Sequence, residues 1–399
     1  MQTKVLHYFN PGHENALLNR HPSYTPPATI TEIMRELSSI PAWYADAEDR
    51  VLVVDDFDES YHKQFIKKGF KISNTIKYKN LQELYKPKVC LWGIAPRDIR
   101  YFEDINNKLR IEAILPQWHE KIIHHSSRFY AADVLKELQD TSAHFGTISP
   151  PLFFTDLESI EQHSQNSLTK LLVKSPYSSS GRGLLWIPPT GVTRAERQIL
   201  QGMLNRQHTV SLEPVYEKVV DFAMEFMSDG KGNVTFEGFS LFSTTNKGSY
   251  TGNILTAQSD MSDILAHHVG ENLLSATKVK LTEILSRDCA LEYQGCIGVD
   301  MMIYLDKNVP RLHPCVEINF RYNMGYLSLK LYEKHIMPGS KGLFQIDYDK
   351  SGTMLAKHHE MQHKYPLETD KGRVISGYLS LCPITQQSRY RAYMLVEKL

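Results

Sequence analysis

With 399 residues, the chain is long enough for two or three domains and a sizeable core. Its 45 basic and 45 acidic side chains cancel, which argues against a nucleic-acid binder held by bulk positive charge. No stretch approaches the ~18 consecutive apolar residues of a membrane helix, and the N-terminus lacks an apolar leader, so a cytoplasmic protein with no membrane partner is expected.

In chain order, strands are predicted at "KVLHYF" (4–9), "RVLVVDDF" (50–57) and "KVCLWGIA" (88–95). Helical spacing lies between them, as in "ITEIMRELSSI" (30–40). Strand–helix alternation predicts an open α/β sheet whose ligands sit beyond the carboxyl ends of its strands. There the loops are "NPGHENA", "DDFDES" and "APRDIR". A helix over 126–138 follows, then a turn and strand in "HFGTISPPLFF". Beyond it the pattern becomes α+β and mainly antiparallel. Seven strand-like segments are interrupted by one long helical stretch, "ILAHHVGENLLSATKVKLTEILSRDCA". "GKGN" (230–233) marks a hairpin turn. We place domains at 1–120 (α/β), 121–212 (small lobe with its linker helix), 213–340 (large lobe) and 341–399 (an extension packed on the body). The five cysteines are scattered with no CxxC, so they read as reduced and mostly buried.

Three segments carry chemistry. "LLVKSPYSSSGRGLLWI" ends a strand in Lys174 and follows it with serines, glycines and Arg182. Glycine lets backbone amides approach an anion, and serine and cationic groups add donors, which describes a flap over phosphates. Neither a Walker A loop nor GxGxxG is present. A solvated Ser/Gly loop is the plain alternative. In "GCIGVDMMIYLD" and "RLHPCVEINFRYNMG", Asp300 lies mid-strand, and Glu317, Asn319 and Arg321 share one strand face. Hard oxygen donors set among apolar residues suit Mg²⁺ (or Mn²⁺), which usually keeps substrate phosphates as further ligands; a solvated strand face is the alternative. In "VSLEPVYEKVVDFAMEF", Glu213 and Pro214 interrupt a strand, and an acid there can accept from an exocyclic amine.

In this order, the segments resemble the ATP-grasp superfamily of ADP-forming ligases over about residues 120–330. The resemblance implies ATP and Mg²⁺ as cofactors and two antiparallel lobes clamping ATP behind an α/β N-terminal domain. It implies phosphate contacts from Lys174 and from the flap residues Ser178, Ser179, Ser180, Gly181, Arg182 and Gly183. It matches the adenine hinge to Glu213, Val215 and Tyr216, and the ribose acid to Asp221, with Glu217 as rival. It matches the metal ligands to Asp300, Glu317 and Asn319, and the arginine facing the acyl phosphate to Arg321. Where many members carry a second lysine before the small lobe, this chain has Arg128; where many read Glu-x-Asn-Pro-Arg, it has Phe320. The implied reaction turns a carboxylate into an acyl phosphate that an amine, or less often a thiol or hydroxyl, attacks. Its partners are then small-molecule or peptide acids and amines, and a homodimer is compatible with it.

Lys247 and Tyr250 in "FSLFSTTNKGSYTGNIL" are candidate substrate contacts, and His13, Glu14 and Asn15 are candidates to close the cleft from its other side; a polar surface turn is the alternative for both stretches and the first reading for His13 and Glu14. A regulatory ATP-binding protein without ligase chemistry is one alternative, and a kinase-like release of phosphorylated product is another. "HEMQH" (359–363) matches HExxH, with His335 or Asp347 as third-ligand candidates for a zinc hydrolase.

Overall fold

In the computed structural model, which describes residues 4–141, 145, 148–178, 181 and 183–398, three sheets organise the chain. The first is built from β1 (Val5–Tyr8), α1 (His13–Asn19), α2 (Ala28–Glu36), β2 (Arg50–Val53), α3 (Glu59–Lys67), β3 (Asn74–Lys77), β4 (Lys88–Leu91) and α4 (Pro96–Leu109). Its strands are all parallel, in the order β3-β2-β1-β4. The order reverses between β1 and β4, the switch point beyond which open α/β sheets place their ligands. Asn10, just past β1, ties the loops after these two strands together: its Nδ2 donates to Gly93 O at 2.6 Å and its Oδ1 accepts from Gly93 N at 3.1 Å.

Two helices, α5 (Lys121–His125) and α6 (Arg128–Thr141), lead to the second sheet. It comprises β5 (Leu152–Phe154), α7 (Leu157–Gln165), β6 (Leu171–Lys174), β7 (Leu184–Ile187), α8 (Arg194–Gln207) and β8 (Val210–Pro214), with strand order β5-β8-β6-β7, all antiparallel. A capping box between Thr193 and Glu196 starts α8, which lays Leu200 and Leu204 on Val173 and Leu212.

The third sheet takes in β9 (Glu217–Asp229), β10 (Val234–Thr244), β11 (Tyr250–Leu255), α9 (Gln258–Val269), α10 (Glu271–Cys289), β12 (Gln294–Asp306), β13 (Val309–Asn319), α11 (Met324–His335), β14 (Lys341–Tyr348), α12 (Met354–Lys364), β15 (Glu368–Asp370), β16 (Arg373–Ser380) and β17 (Tyr390–Glu397). Its nine strands run β13-β12-β9-β10-β11-β14-β17-β16-β15. Period-two alternation sends Phe226 and Ile297 to one face, under α6, α9 and α10, and Met227 and Cys296 to the other, under α11. The single long helix expected after β11 is instead two. Gly270 takes φ +83°, a left-handed value that ends α9, and the next turn starts afresh as α10.

Residues 341–397 supply four strands hydrogen-bonded into this sheet. They share a core with the first unit, where the Trp43 indole donates to Leu381 O at 2.7 Å. Among the described residues, no helix is long and apolar enough to cross a membrane.

Candidate active site

Asp300 on β12 stands directly opposite Glu317 on β13, and the ladder slips just after this pair. Asn319 sits two residues on; its Nδ2 donates to Asp300 Oδ2 at 3.2 Å and its Oδ1 accepts from Arg321 Nη2 at 3.0 Å. Burial, with Glu317 alongside and Glu225 beyond, pushes the Asp300 carboxyl well above its usual range, while Arg321 and Asn319 pull the other way. Two carboxylates set face to face in a sparsely solvated site call for a cation. The donor set fits Mg²⁺ or Mn²⁺, which binds one or two protein carboxylates and completes its shell with phosphates and water. Asn319 would have to turn its amide to join them.

The flap begins where β6 delivers Lys174. This lysine is buried and ion-paired with Glu213 on β8. Ser175 N donates to Gly183 O at 2.9 Å, closing the base of the loop. Gln207 grips both backbone groups of Tyr177, at 2.9 and 2.8 Å. Gly181 has φ +74°, and a Cβ there would lie 2.5 Å from Gly248 O, so the flap rests against the turn between β10 and β11. Ser179, Ser180 and Arg182 lie outside the described residues.

Arg128, the first residue of α6, joins the two halves. Its N–H donates to Pro176 O at 3.1 Å and its Nε to Ser175 O at 3.1 Å. Its Nη2 reaches Ser178 Oγ at 3.4 Å and Glu317 Oε2 at 2.9 Å. One guanidinium thus touches both the flap base and the acidic strand pair.

In the segment from Glu213 to Tyr216, the Glu213 carboxylate is engaged by Lys174, and Val215 N donates to Lys170 O at 3.0 Å. The Tyr216 hydroxyl accepts from Ser149 N at 3.2 Å, and its ring packs on Tyr304 at 4.6 Å. His313, near the Glu213–Lys174 pair, is pushed down to about 4 by burial and is neutral at physiological pH. Asp221 accepts from Lys218 and, at 2.9 Å, from Thr244 Oγ1, while Glu217 is exposed. Lys247 is exposed on the β10–β11 turn, and the Tyr250 hydroxyl donates to Asn253 Oδ1 at 2.5 Å.

Two acids of this site were not singled out from the sequence in the roles they take. Glu14, at the start of α1, receives Arg321 Nε at 2.5 Å, and His13 lies 3.3 Å from its other oxygen. Burial raises the Glu14 carboxyl, but Arg321 and His13 outweigh it and hold the group well below the carboxylate range. The backbone follows: Arg321 bridges to Gly93, and Tyr322 N donates to Trp92 O at 2.8 Å. The second acid is Glu225 on β9, buried and accepting from Ser240 Oγ at 2.9 Å and Asn323 Nδ2 at 2.8 Å. Gly298 and Gly325 leave the room it occupies; a Cβ on Gly325 would lie 2.1 Å from Glu225 Oε1. Its four-residue spacing from Asp221 on one strand was the available signal.

The HEMQH residues do not join this site. His359, Glu360 and His363 are exposed on α12, His335 is buried with its Nε2 2.9 Å from Trp43 O, and Asp347 pairs with Arg391. Among the described residues, no three His, Cys, Asp or Glu side chains cluster as a metal site on their own.

No family model matches the chain, and no curated protein matches it in sequence. Solved structures do match in fold. A biotin carboxylase–β-γ-ATP complex from Campylobacter jejuni has a TM-score of 0.55 at 13% identity, covering 100% of this chain and 88% of that one. An ADP complex of N5-carboxyaminoimidazole ribonucleotide synthetase has a TM-score of 0.51 at 12% identity, covering 100% and 92%. The biotin carboxylase domain of the Hydrogenobacter thermophilus 2-oxoglutarate carboxylase, solved with MgADP, ADP and bicarbonate, has a TM-score of 0.50 at 11% identity, covering 100% and 86%. With a parallel sheet ahead of two antiparallel ones, matched over its whole length by these structures, the chain has the ATP-grasp fold.

Proposed function

We propose that the protein is an ATP- and Mg²⁺-dependent, ADP-forming ligase that activates a carboxylate as its acyl phosphate and passes it to an amine. The observation that carries this is Arg128, whose guanidinium contacts the flap base at Ser175 and Ser178 and the acidic pair at Glu317. A triphosphate laid between flap and acidic strands meets cations on one side and metal-binding oxygens on the other.

Asp300 and Glu317, joined by Asn319 once its amide turns, would hold Mg²⁺ (or Mn²⁺), which supplies neutralisation of phosphate charge. Lys174, released from Glu213, and the flap amides hold the transferred phosphoryl group in line. The hinge from Glu213 to Tyr216 offers backbone groups to an adenine edge, and Asp221 or Glu217 an acceptor for ribose hydroxyls. Arg321, kept charged by Glu14, faces the negative charge that develops on the acyl phosphate. No protein nucleophile is required. The flap, seated on the β10–β11 turn, keeps water from a readily hydrolysed intermediate.

The test is ADP release from MgATP across a panel of acids and amines. Bicarbonate comes first, because one structural neighbour is solved with it. Glu317→Gln should lose turnover by about 100-fold or more while still binding adenine nucleotide. Wild-type turnover in that variant overturns the metal assignment. Nucleotide binding without ADP release for any acid favours a regulatory protein instead.

A further inference from the structure

We propose that Arg128 is an internal counter-cation that occupies Glu317 until nucleotide arrives, so that the divalent ion enters only together with the phosphates. This deepens the ligase reading and rests on it, because that reading makes Asp300 and Glu317 the place for the ion.

The geometry is that of a competitor. Arg128 Nη2 lies 2.9 Å from Glu317 Oε2, and the two side chains are only 8% and 24% exposed. A guanidinium and a dication cannot share that oxygen, and each repels the other across a poorly solvated gap. With Arg128 in place, one of the two carboxylates is already neutralised.

What would move Arg128 is also built in. Its other two contacts, Ser175 O at 3.1 Å and Ser178 Oγ at 3.4 Å, belong to the flap base, the segment that phosphates would reorganise. Its own backbone N–H is bonded to Pro176 O, so the start of α6 follows that segment. Its Nη1 is buried and, among the described residues, has no hydrogen-bond partner. An unmet cationic donor beside the flap is what a phosphate oxygen satisfies, in a charge-assisted bond stronger than a neutral one. Phosphate therefore offers Arg128 a better partner at the moment it delivers the metal that takes Glu317. The arginine fork permits this exchange: Nε can stay on the flap while Nη2 changes partner, which the single ammonium of lysine cannot do.

The experiment is a titration of the nucleotide-free protein with Mn²⁺ alone, read by the loss of the free-ion electron paramagnetic resonance signal. Arg128→Gln should bind Mn²⁺ roughly tenfold or more tightly than wild type, as expected when a unit charge a few ångströms away is removed and screening discounts the gain. Adding Glu317→Gln should abolish the gain. Arg128→Met keeps the aliphatic stem packed and serves if the glutamine variant does not fold. No gain in either variant, with Mn²⁺ uptake in the presence of ATP intact, overturns the counter-cation role and leaves the ligase reading standing. No Mn²⁺ binding by any form, with or without ATP, overturns both.

Discussion

Glu225 carries the most quantitative prediction. It is 1% exposed, and burial pushes its carboxyl from 4.5 up to about 7, against the pull of Asn323, Ser240 and Arg321. An acid whose pKa rises on folding keeps its proton in the folded chain after the unfolded chain has lost it. Its stabilising contribution is whole below the unfolded value and is lost as pH climbs through the folded one. Between pH 5 and pH 8 the loss amounts to about 2.5 kcal/mol at ~1.4 kcal/mol per pKa unit. Glu225→Gln is neutral and nearly isosteric, and it can still accept from Asn323 and pair with Ser240. Urea denaturation of both proteins at the two pH values, without divalent ions and followed by tryptophan fluorescence, gives the comparison. Wild type should lose about 2.5 kcal/mol more than the variant on going from pH 5 to pH 8. Equal losses in the two proteins would refute the assignment of a protonated Glu225.

Removing Lys174 alone strands a buried carboxylate. Lys174→Met should therefore cost about 3 kcal/mol or more in denaturant unfolding, and adding Glu213→Leu should recover most of it. Gly248→Val places a side chain at φ +72°, and its Cβ would meet Leu184 Cδ1 at 2.7 Å; exchange of the Ser175 amide, which closes the flap base, should accelerate. Gly93→Ala would bring a methyl 2.4 Å from the His13 ring and displace His13 and Glu14 from Arg321. ADP release should then fall at least about tenfold while nucleotide binding persists.

The local features were legible because they are written in short stretches. Alternation marked the strands, and the composition of "SPYSSSGRG" marked the connection between β6 and β7. The two-residue spacing of Glu317 and Asn319 put them on one face. What connects these pieces was not legible. Arg128 and Glu317 are 189 residues apart, and Arg321 and Glu14 are 307 apart. No periodicity encodes such a pairing; it appears only when the sheets are docked. Glu225 is a related case. Its spacing from Asp221 predicts a shared face, but only the closeness of Gly298 and Gly325 turns that face into a sealed pocket. The expected long helix failed on one backbone dihedral at Gly270, where a left-handed residue outweighed the helical spacing on either side.

The tie between the loops of the first sheet and Arg321 makes the two parts inseparable as building blocks. Grafting the second and third sheets onto a different leading domain would strip Arg321 of Glu14 and of its backbone neighbours Trp92 and Gly93. The transplant would keep every motif of those two sheets, yet leave a guanidinium with no carboxylate from the front of the chain to steady it. Chimeras that bring the Asn10–Glu14 and Trp92–Gly93 segments along with the two sheets are the ones that should retain a properly aimed Arg321.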